Sequence, residues 1–141
     1  PGRGQRARGV LMYALDTNTL IYFFRGMGNV AAHLLGRRPA EISIPSVVLY
    51  EIETGIAKSS HPEKRRAQFD QLLDVVSVLP FDHDAAVCAA SIRAILEKQG
   101  RPIGPLDTLI AATALSAGAT LVTHNTGEFS RVSELPLADW F

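Results

Sequence analysis

The chain has 141 residues, 47% of them hydrophobic, with 14 basic and 14 acidic side chains and a formal net charge of zero. That length suits one domain with a substantial core, and the composition excludes a disordered chain. The neutral balance also excludes any partner chosen by global charge alone.

The balance hides an asymmetry at the amino end. Residues 1–11 hold Arg3, Arg6 and Arg8 and no acid; fourteen basic residues less these three leaves eleven against fourteen acids, so the remainder carries −3. Met12 directly precedes the apolar run Tyr13-Ala14-Leu15 and is the expected natural start. Residues 1–11 then read as a disordered arm or an appended remnant. The alternative is a basic arm that holds RNA phosphates.

Met12–Leu15 reads as a short buried strand, followed by a helix over Thr17–Phe24 capped by Asp16 or Thr17. A second short helix is expected over Asn29–Arg37, and the alternation in Glu41–Ile44 predicts a strand. Pro45 suits a helix start, so a helix runs over Ser46–Lys58. After a break at Ser59–His61, Pro62 opens a helix over Glu63–Leu73, and the pair is expected to form a protruding hairpin. Val75–Leu79 is a strand ended by Pro80. Asp82 or Asp84 caps a long helix over Ala85–Lys98 that stops at Gly100. Gly104-Pro105 starts a helix that reaches Ser116 and ends at Gly118. Ala119–Thr123 is a strand, Thr126 caps a last short helix, and Leu135–Phe141 closes the chain. Strands alternating with helices predict a parallel sheet covered on both faces, with ligands at the carboxyl ends of its strands.

Cys88 is the only cysteine, which rules out an intramolecular disulfide and fits a reducing compartment. Its apolar surroundings, Ala85–Ala90, predict a buried inert thiol. The longest weakly apolar stretch, Leu109–Val122, is too short to span a bilayer, and no secretory signal pattern is present. A soluble cytoplasmic protein is expected.

Three acids stand where a strand is expected to hand over to a helix. They are Asp16 in Leu15-Asp16-Thr17-Asn18, Glu51 in Ser46-Val47-Val48-Leu49-Tyr50-Glu51, and Asp107 in Ile103-Gly104-Pro105-Leu106-Asp107. Each has an ordinary role available. Asp16 suits a helix N-cap and Asp107 the positive end of its helix. Glu51 shares its helix with Glu53, and the apolar pair Ile52 and Ile56 leaves its facing open. A carboxylate beside an apolar strand is nonetheless costly unless paired or metal-bound. Three of them, distant in sequence and alike in placement, predict one shared site. Oxygen ligands of this kind suit Mg²⁺ or Mn²⁺ and point to metal-assisted cleavage of a phosphate ester.

Other side chains carry less. His33, His61, His83 and His124 show no metal-ligand spacing with one another or with Cys88. His124 stands beside the expected site, where it would touch RNA. Tyr22, Phe23, Phe24, Phe69 and Phe81 read as core or partner surface rather than base-stacking platforms.

Five stretches together resemble the PIN-domain family, and within it the VapC toxins of bacterial toxin–antitoxin pairs. They are Leu15-Asp16-Thr17-Asn18, Ser46-Val47-Val48-Leu49-Tyr50-Glu51-Ile52, Ile92-Arg93-Ala94, Gly100-Arg101-Pro102-Ile103-Gly104-Pro105-Leu106-Asp107, and Leu121-Val122-Thr123-His124-Asn125-Thr126-Gly127-Glu128-Phe129. The resemblance covers residues 12–141. It implies a three-layer α/β/α PIN-like domain around a central, mainly parallel twisted sheet. It also implies a Mg²⁺- or Mn²⁺-dependent endoribonuclease of the branch that cuts the anticodon stem-loop of initiator tRNA. Its partners would be tRNA and a VapB-type antitoxin, in homodimers assembled further with that antitoxin. The implied products carry a 3′-hydroxyl and a 5′-phosphate, whereas a metal-free ribonuclease would need a histidine pair and leave a cyclic phosphate.

By the same resemblance Asp16, Glu51 and Asp107 are the acidic site residues, with Asp16 and Asp107 as main metal ligands and Glu51 completing the site or orienting water. The family's usual fourth acid, just after the last core strand, is replaced here by Asn125, with Glu128 one helical turn on. Asn125 would coordinate a metal or hold a water without adding charge, and Glu128 would supply the missing carboxylate. Thr17, Asn18 and Thr123 would support the acids or hold phosphate oxygens. Arg93 and Arg101 would contact RNA phosphate or brace the acids.

Two readings compete. A haloacid dehalogenase-like phosphatase would use Asp16 as a covalent nucleophile, but it needs a second Asp where Asn18 stands. A catalytically silent RNA-binding domain of the same fold has no need of the acidic trio. No glycine-rich phosphate loop is present.

Overall fold

The computed structural model describes residues 11–141. The expected amino-terminal arm therefore lies outside the described residues, except for exposed Leu11. Among the described residues, five strands form one sheet: β1 (Tyr13–Leu15), β2 (Ile42–Pro45), β3 (Ser77–Leu79), β4 (Thr120–Val122) and β5 (Leu137–Ala138). Seven α-helices of the described residues surround it: α1 (Thr17–Arg25), α2 (Val30–Leu35), α3 (Ser46–Ala57), α4 (Pro62–Leu73), α5 (His83–Lys98), α6 (Pro105–Ser116) and α7 (Thr126–Phe129). The layers are α/β/α, and every strand pair is parallel, in the order β3-β2-β1-β4-β5. Strands this short, covered on both faces, are apolar almost throughout: Ala14, Leu15, Ile42, Ile44, Leu121 and Val122 are all buried.

Local chemistry sets the boundaries. Asp16 caps α1, its side chain accepting from the Thr19 amide at 2.9 Å. Gly26, at φ 65°, ends that helix in the left-handed region where a side chain is strained. Asp82 rather than Asp84 caps α5, accepting from the Ala85 amide at 2.9 Å, and the helix starts at His83.

Several expectations shift. Pro39–Glu41 forms a short 3₁₀ turn, so β2 runs Ile42–Pro45 instead of starting at Glu41. β3 loses Val75 and Val76 because both amides bond back to the Leu72 carbonyl and finish α4. Asn125, not Thr126, occupies the cap position of α7. The closing segment contributes a fifth strand, β5, which extends the sheet beside β4. The α3–α4 hairpin is docked rather than protruding: Ile56, Phe69 and Leu72 are buried, and the Phe69 ring meets Phe24 edge to face. Cys88 is half-buried against the core, and burial raises its thiol pKa.

The chain order alone marks the binding region that open parallel sheets use. From β1 the chain steps outward through β2 to β3, then crosses back to β4 on the other side of β1. The switch point of the sheet is thus between β1 and β4, and ligands of open parallel sheets bind beyond the carboxyl ends of such strands. Asp16 follows β1 and Thr123-His124-Asn125 follow β4.

Candidate active site

Asp16 is 5% exposed and continues the β1–β4 ladder, its amide donating to the Val122 carbonyl at 3.1 Å. Its carboxylate accepts from the Thr19 amide and hydrogen-bonds the Thr123 hydroxyl. Thr19 is itself fixed, its hydroxyl donating to the Val122 carbonyl at 3.1 Å. Burial nevertheless outweighs these bonds and raises the Asp16 pKa, with the charge of Glu51 adding to the rise.

Glu51 lies in the second turn of α3 and accepts from the Thr17 hydroxyl at 2.5 Å. That bond settles the facing the sequence leaves open. Glu53 points to α4 instead, where Arg66 holds it through both guanidinium nitrogens. Arg66 pulls the Glu53 pKa down, so Glu53 braces the hairpin and takes no part in the acidic cluster.

Asp107 sits in the first turn of α6 and is half-buried. It does not follow a strand, as its sequence setting suggests; residues 101–104 are a loop after α5. Side chains from α7 and just beyond it shape that loop. Glu128 accepts from the Gly104 amide at 3.2 Å, and Arg131 donates to the Pro102 carbonyl at 3.0 Å. Burial, a hydrogen bond to Glu128 and the charges of Glu128, Asp16 and Glu51 push the Asp107 pKa up to about 7. Partial burial works to raise Glu128 as well, but hydrogen bonds from Asp107, Gly104 and Asn125 outweigh it and hold Glu128 below its usual range. Asn125 donates from Nδ2 to Glu128 Oε2 at 3.0 Å, and its amide donates to the Thr123 hydroxyl oxygen at 3.0 Å.

One connected acidic site results. Asp16, Glu51, Asp107 and Glu128 sense one another's charge, directly or through Asp107, and Asn125 and Thr123 link the two ends. Of the other residues singled out, Thr17 and Thr123 join this site. Asn18 is exposed on α1. Arg93 is exposed on α5 and paired with Glu97 at 2.8 Å, so it braces none of the acids here. Thr19, the Gly104 amide and Arg131 are the contributors that sequence reasoning misses. The spacing of Thr19 three residues after Asp16 is the capping signal that points to the first of them.

The donor set is oxygen throughout, and its crowded carboxylates repel one another, which is the condition a hard divalent cation relieves. Among the described residues, no group of three or more His, Cys, Asp or Glu side chains is arranged to hold an ion unaided. The carboxyl groups are engaged locally: Asp16 accepts from Thr19 and Thr123, Glu51 accepts from Thr17, and Asp107 shares a hydrogen bond with Glu128. The arrangement therefore fits an ion that keeps several waters and binds through one or two carboxylates, the habit of Mg²⁺. Among the described residues, no helix is long and apolar enough to cross a membrane.

Comparison with known proteins agrees with this architecture. The PIN domain family matches residues 13–135. A tRNA(fMet)-specific endonuclease VapC from Shigella flexneri is 37% identical over 131 residues, covering 93% of this chain and 99% of the relative. Ribonuclease VapC2 from Haemophilus influenzae is 33% identical with the same coverage. A chain in the crystal structure of DNA-bound VapBC from Salmonella typhimurium superposes with a TM-score of 0.87 at 33% identity, covering 94% of this chain and all of that one. The chain therefore belongs to the PIN-domain family, in the branch of the VapC ribonucleases.

Proposed function

We propose that this chain is a Mg²⁺- or Mn²⁺-dependent endoribonuclease toxin that hydrolyses a phosphodiester in the anticodon stem-loop of initiator tRNA. A VapB-type antitoxin holds it inactive in the cytoplasm, in hetero-oligomers built from homodimers. The observation that carries the reading is the coupled acidic site at the β1–β4 switch point, with Asp107 raised to about 7 by its neighbours. The tRNA assignment leans on the relatives named for tRNA(fMet).

Asp16 and Asp107 would hold the ion, and Glu51 would complete the site or orient the attacking water. When bound, the ion neutralises phosphate charge and lowers the pKa of a coordinated water. The chain's own residues do the rest. Thr19 and Thr123 fix the Asp16 carboxylate, and Thr17 fixes Glu51 so that it faces the site. Glu128 ties the Gly104 loop to α7 and so sets the start of the helix that carries Asp107. Asn125 orients Glu128 without adding charge.

The antitoxin reading rests on a groove of about 360 Å³ that leads away from Glu51, walled by Ile21, Phe24, Ile52, Ile56 and Phe69. Among the described residues, the Gln68 side-chain Oε1 beside it is buried without a hydrogen-bond partner. An apolar segment seated here would deliver a basic side chain, such as the fork of an arginine, to the carboxylates. The deciding experiment incubates the purified chain with initiator tRNA and elongator tRNAs and maps the 5′ ends. Cleavage confined to the initiator anticodon loop, with 5′-phosphate ends, supports the proposal; no metal-dependent cleavage of any RNA refutes it.

A further inference from the structure

His124 projects from the strand-end segment that carries Thr123 and Asn125, both of which belong to the acidic site. Its own side chain turns the other way, toward the β5 edge. There its Nδ1 lies 3.0 Å and 3.2 Å from the two carboxylate oxygens of Asp139. Asp139 is held in turn, because the Phe141 amide donates to its Oδ1 at 3.0 Å. The Phe141 ring stacks on the imidazole at 4.3 Å, and Tyr22 of α1 meets it edge-on at 6.1 Å.

The placement follows from the sheet. β4 and β5 are in register at Val122 and Ala138, and the ladder continues with the Thr123 amide donating to the Ala138 carbonyl at 2.9 Å. By that register Thr123 lies opposite Asp139, and His124 is the next residue along its own segment. Asp139 thus extends the row of strand-end polar groups by one strand beyond Asp16 and Thr123, a step of about 5 Å, and His124 leans across to it.

An ionised carboxylate only accepts, so Asp139 fixes the proton on Nδ1. Among the described residues Nε2 makes no hydrogen bond, and the side chain stays 47% exposed. Holding a surface imidazole by a carboxylate and two rings costs side-chain entropy. Pinning the chain end alone does not require it, since the Phe141 carbonyl is already bonded to the Asn29 amide at 2.6 Å. With Phe141 on one ring face, the ring presents an edge nitrogen rather than a platform for stacking a base.

We propose that His124 is a substrate-contacting residue, oriented by Asp139, whose Nε2 hydrogen-bonds a ribose 2′-hydroxyl one nucleotide from the bond that is cut. The 2′-hydroxyl both donates and accepts and is the group that separates RNA from DNA. This rests on the ribonuclease reading above and adds to it a residue that selects the sugar. Asp139 is a positioning residue.

The test measures single-turnover cleavage of the anticodon stem-loop and of versions carrying one 2′-deoxy nucleotide at each position beside the cleaved bond. Wild type should lose about five- to tenfold at one such position. His124→Ala should cut the all-ribose substrate more slowly by the same factor and be indifferent to that deoxy substitution. His124→Gln, which keeps a polar edge, should recover part of the sensitivity, and Asp139→Asn should lower it with unchanged thermal unfolding. If His124→Ala remains as sensitive as wild type to every deoxy substitution, the inference is overturned while the ribonuclease reading stands. Should His124→Ala fail to fold, His124→Gln and Asp139→Asn decide by the same measurement, full sensitivity in both overturning it. A wild-type protein that cuts no RNA overturns both readings.

Discussion

The side chains of Asp107 and Glu128 are hydrogen-bonded to each other, although both are acids. One of them must carry a proton for that bond to exist, and burial together with three neighbouring carboxylates assigns it to Asp107. The site is thus strained by charge before any cation enters.

Stability in chelator should depend on pH through Asp107. Its folded pKa, about 7, lies above the ordinary value of 3.8. The unfolded chain therefore releases this proton more readily, and stability falls as pH rises from about 4 to about 7. Asp107→Asn should match wild type near pH 4 and exceed it above pH 7. For a half-open carboxylate, screening leaves a gain on the order of 1–2 kcal/mol. Urea unfolding in EDTA across this range measures it. An equal offset at every pH would remove the charge explanation.

Asp16→Asn and Asp107→Asn should each reduce cleavage on the order of 10²-fold or more, with the fold retained. Circular dichroism checks the fold and a labelled stem-loop the rate. EDTA should stop wild-type cleavage, and Mg²⁺ or Mn²⁺ should restore it. Full activity in excess chelator, with cyclic phosphate ends, would contradict the metal assignment.

Glu128→Gln should raise the Mg²⁺ concentration needed for half-activity yet cost less rate at saturation than Asp107→Asn. Asn125→Asp is the sharper probe. Sequence alone makes it attractive as added charge, but Asn125 Nδ2 donates to Glu128 Oε2 at 3.0 Å. An aspartate there faces a carboxylate with no proton to give, so the variant should need more metal, not less. A lower metal requirement would mean that position 125 contacts the ion itself.

Substitution at Gly55 should separate catalysis from antitoxin binding. It lies in α3 on the groove, and a Cβ there would meet nothing within 4 Å. Gly55→Ala should stabilise the chain by about 0.5–1 kcal/mol. Gly55→Leu should fill the groove and weaken antitoxin inhibition while the free toxin cuts normally. Titration of activity with antitoxin reads the difference, and unchanged inhibition by Gly55→Leu would place the partner elsewhere.

The residues of the site were more legible than its wiring. Asp16 is found by pattern because a cap after an apolar strand is a local signal, and Thr19 belongs to that same signal. Asp107 is found for a reason the fold corrects, since a loop and not a strand precedes it. What holds that loop, Glu128 on Gly104 and Arg131 on Pro102, spans 24 and 29 residues and has no local signature. The docking of the hairpin was equally hidden, because Phe24 and Phe69 meet only after the sheet is assembled. Of the two roles the sequence offers Arg93, phosphate contact or a brace for the acids, the fold removes the second, since Glu97 one turn away holds it.

The pairing of β1 with β4 has a consequence for biosynthesis. Asp16 is bonded through its amide to Val122, and its carboxylate depends on Thr123, more than a hundred residues later. A nascent chain emerging from the ribosome carries Asp16, Glu51 and Asp107 before the strand that walls them exists. The segment that completes the pocket is made only after all three acids. A ribonuclease built this way has no complete site until β4 is synthesised and paired with β1, so its activity would be tied to long-range folding rather than to the appearance of its acids.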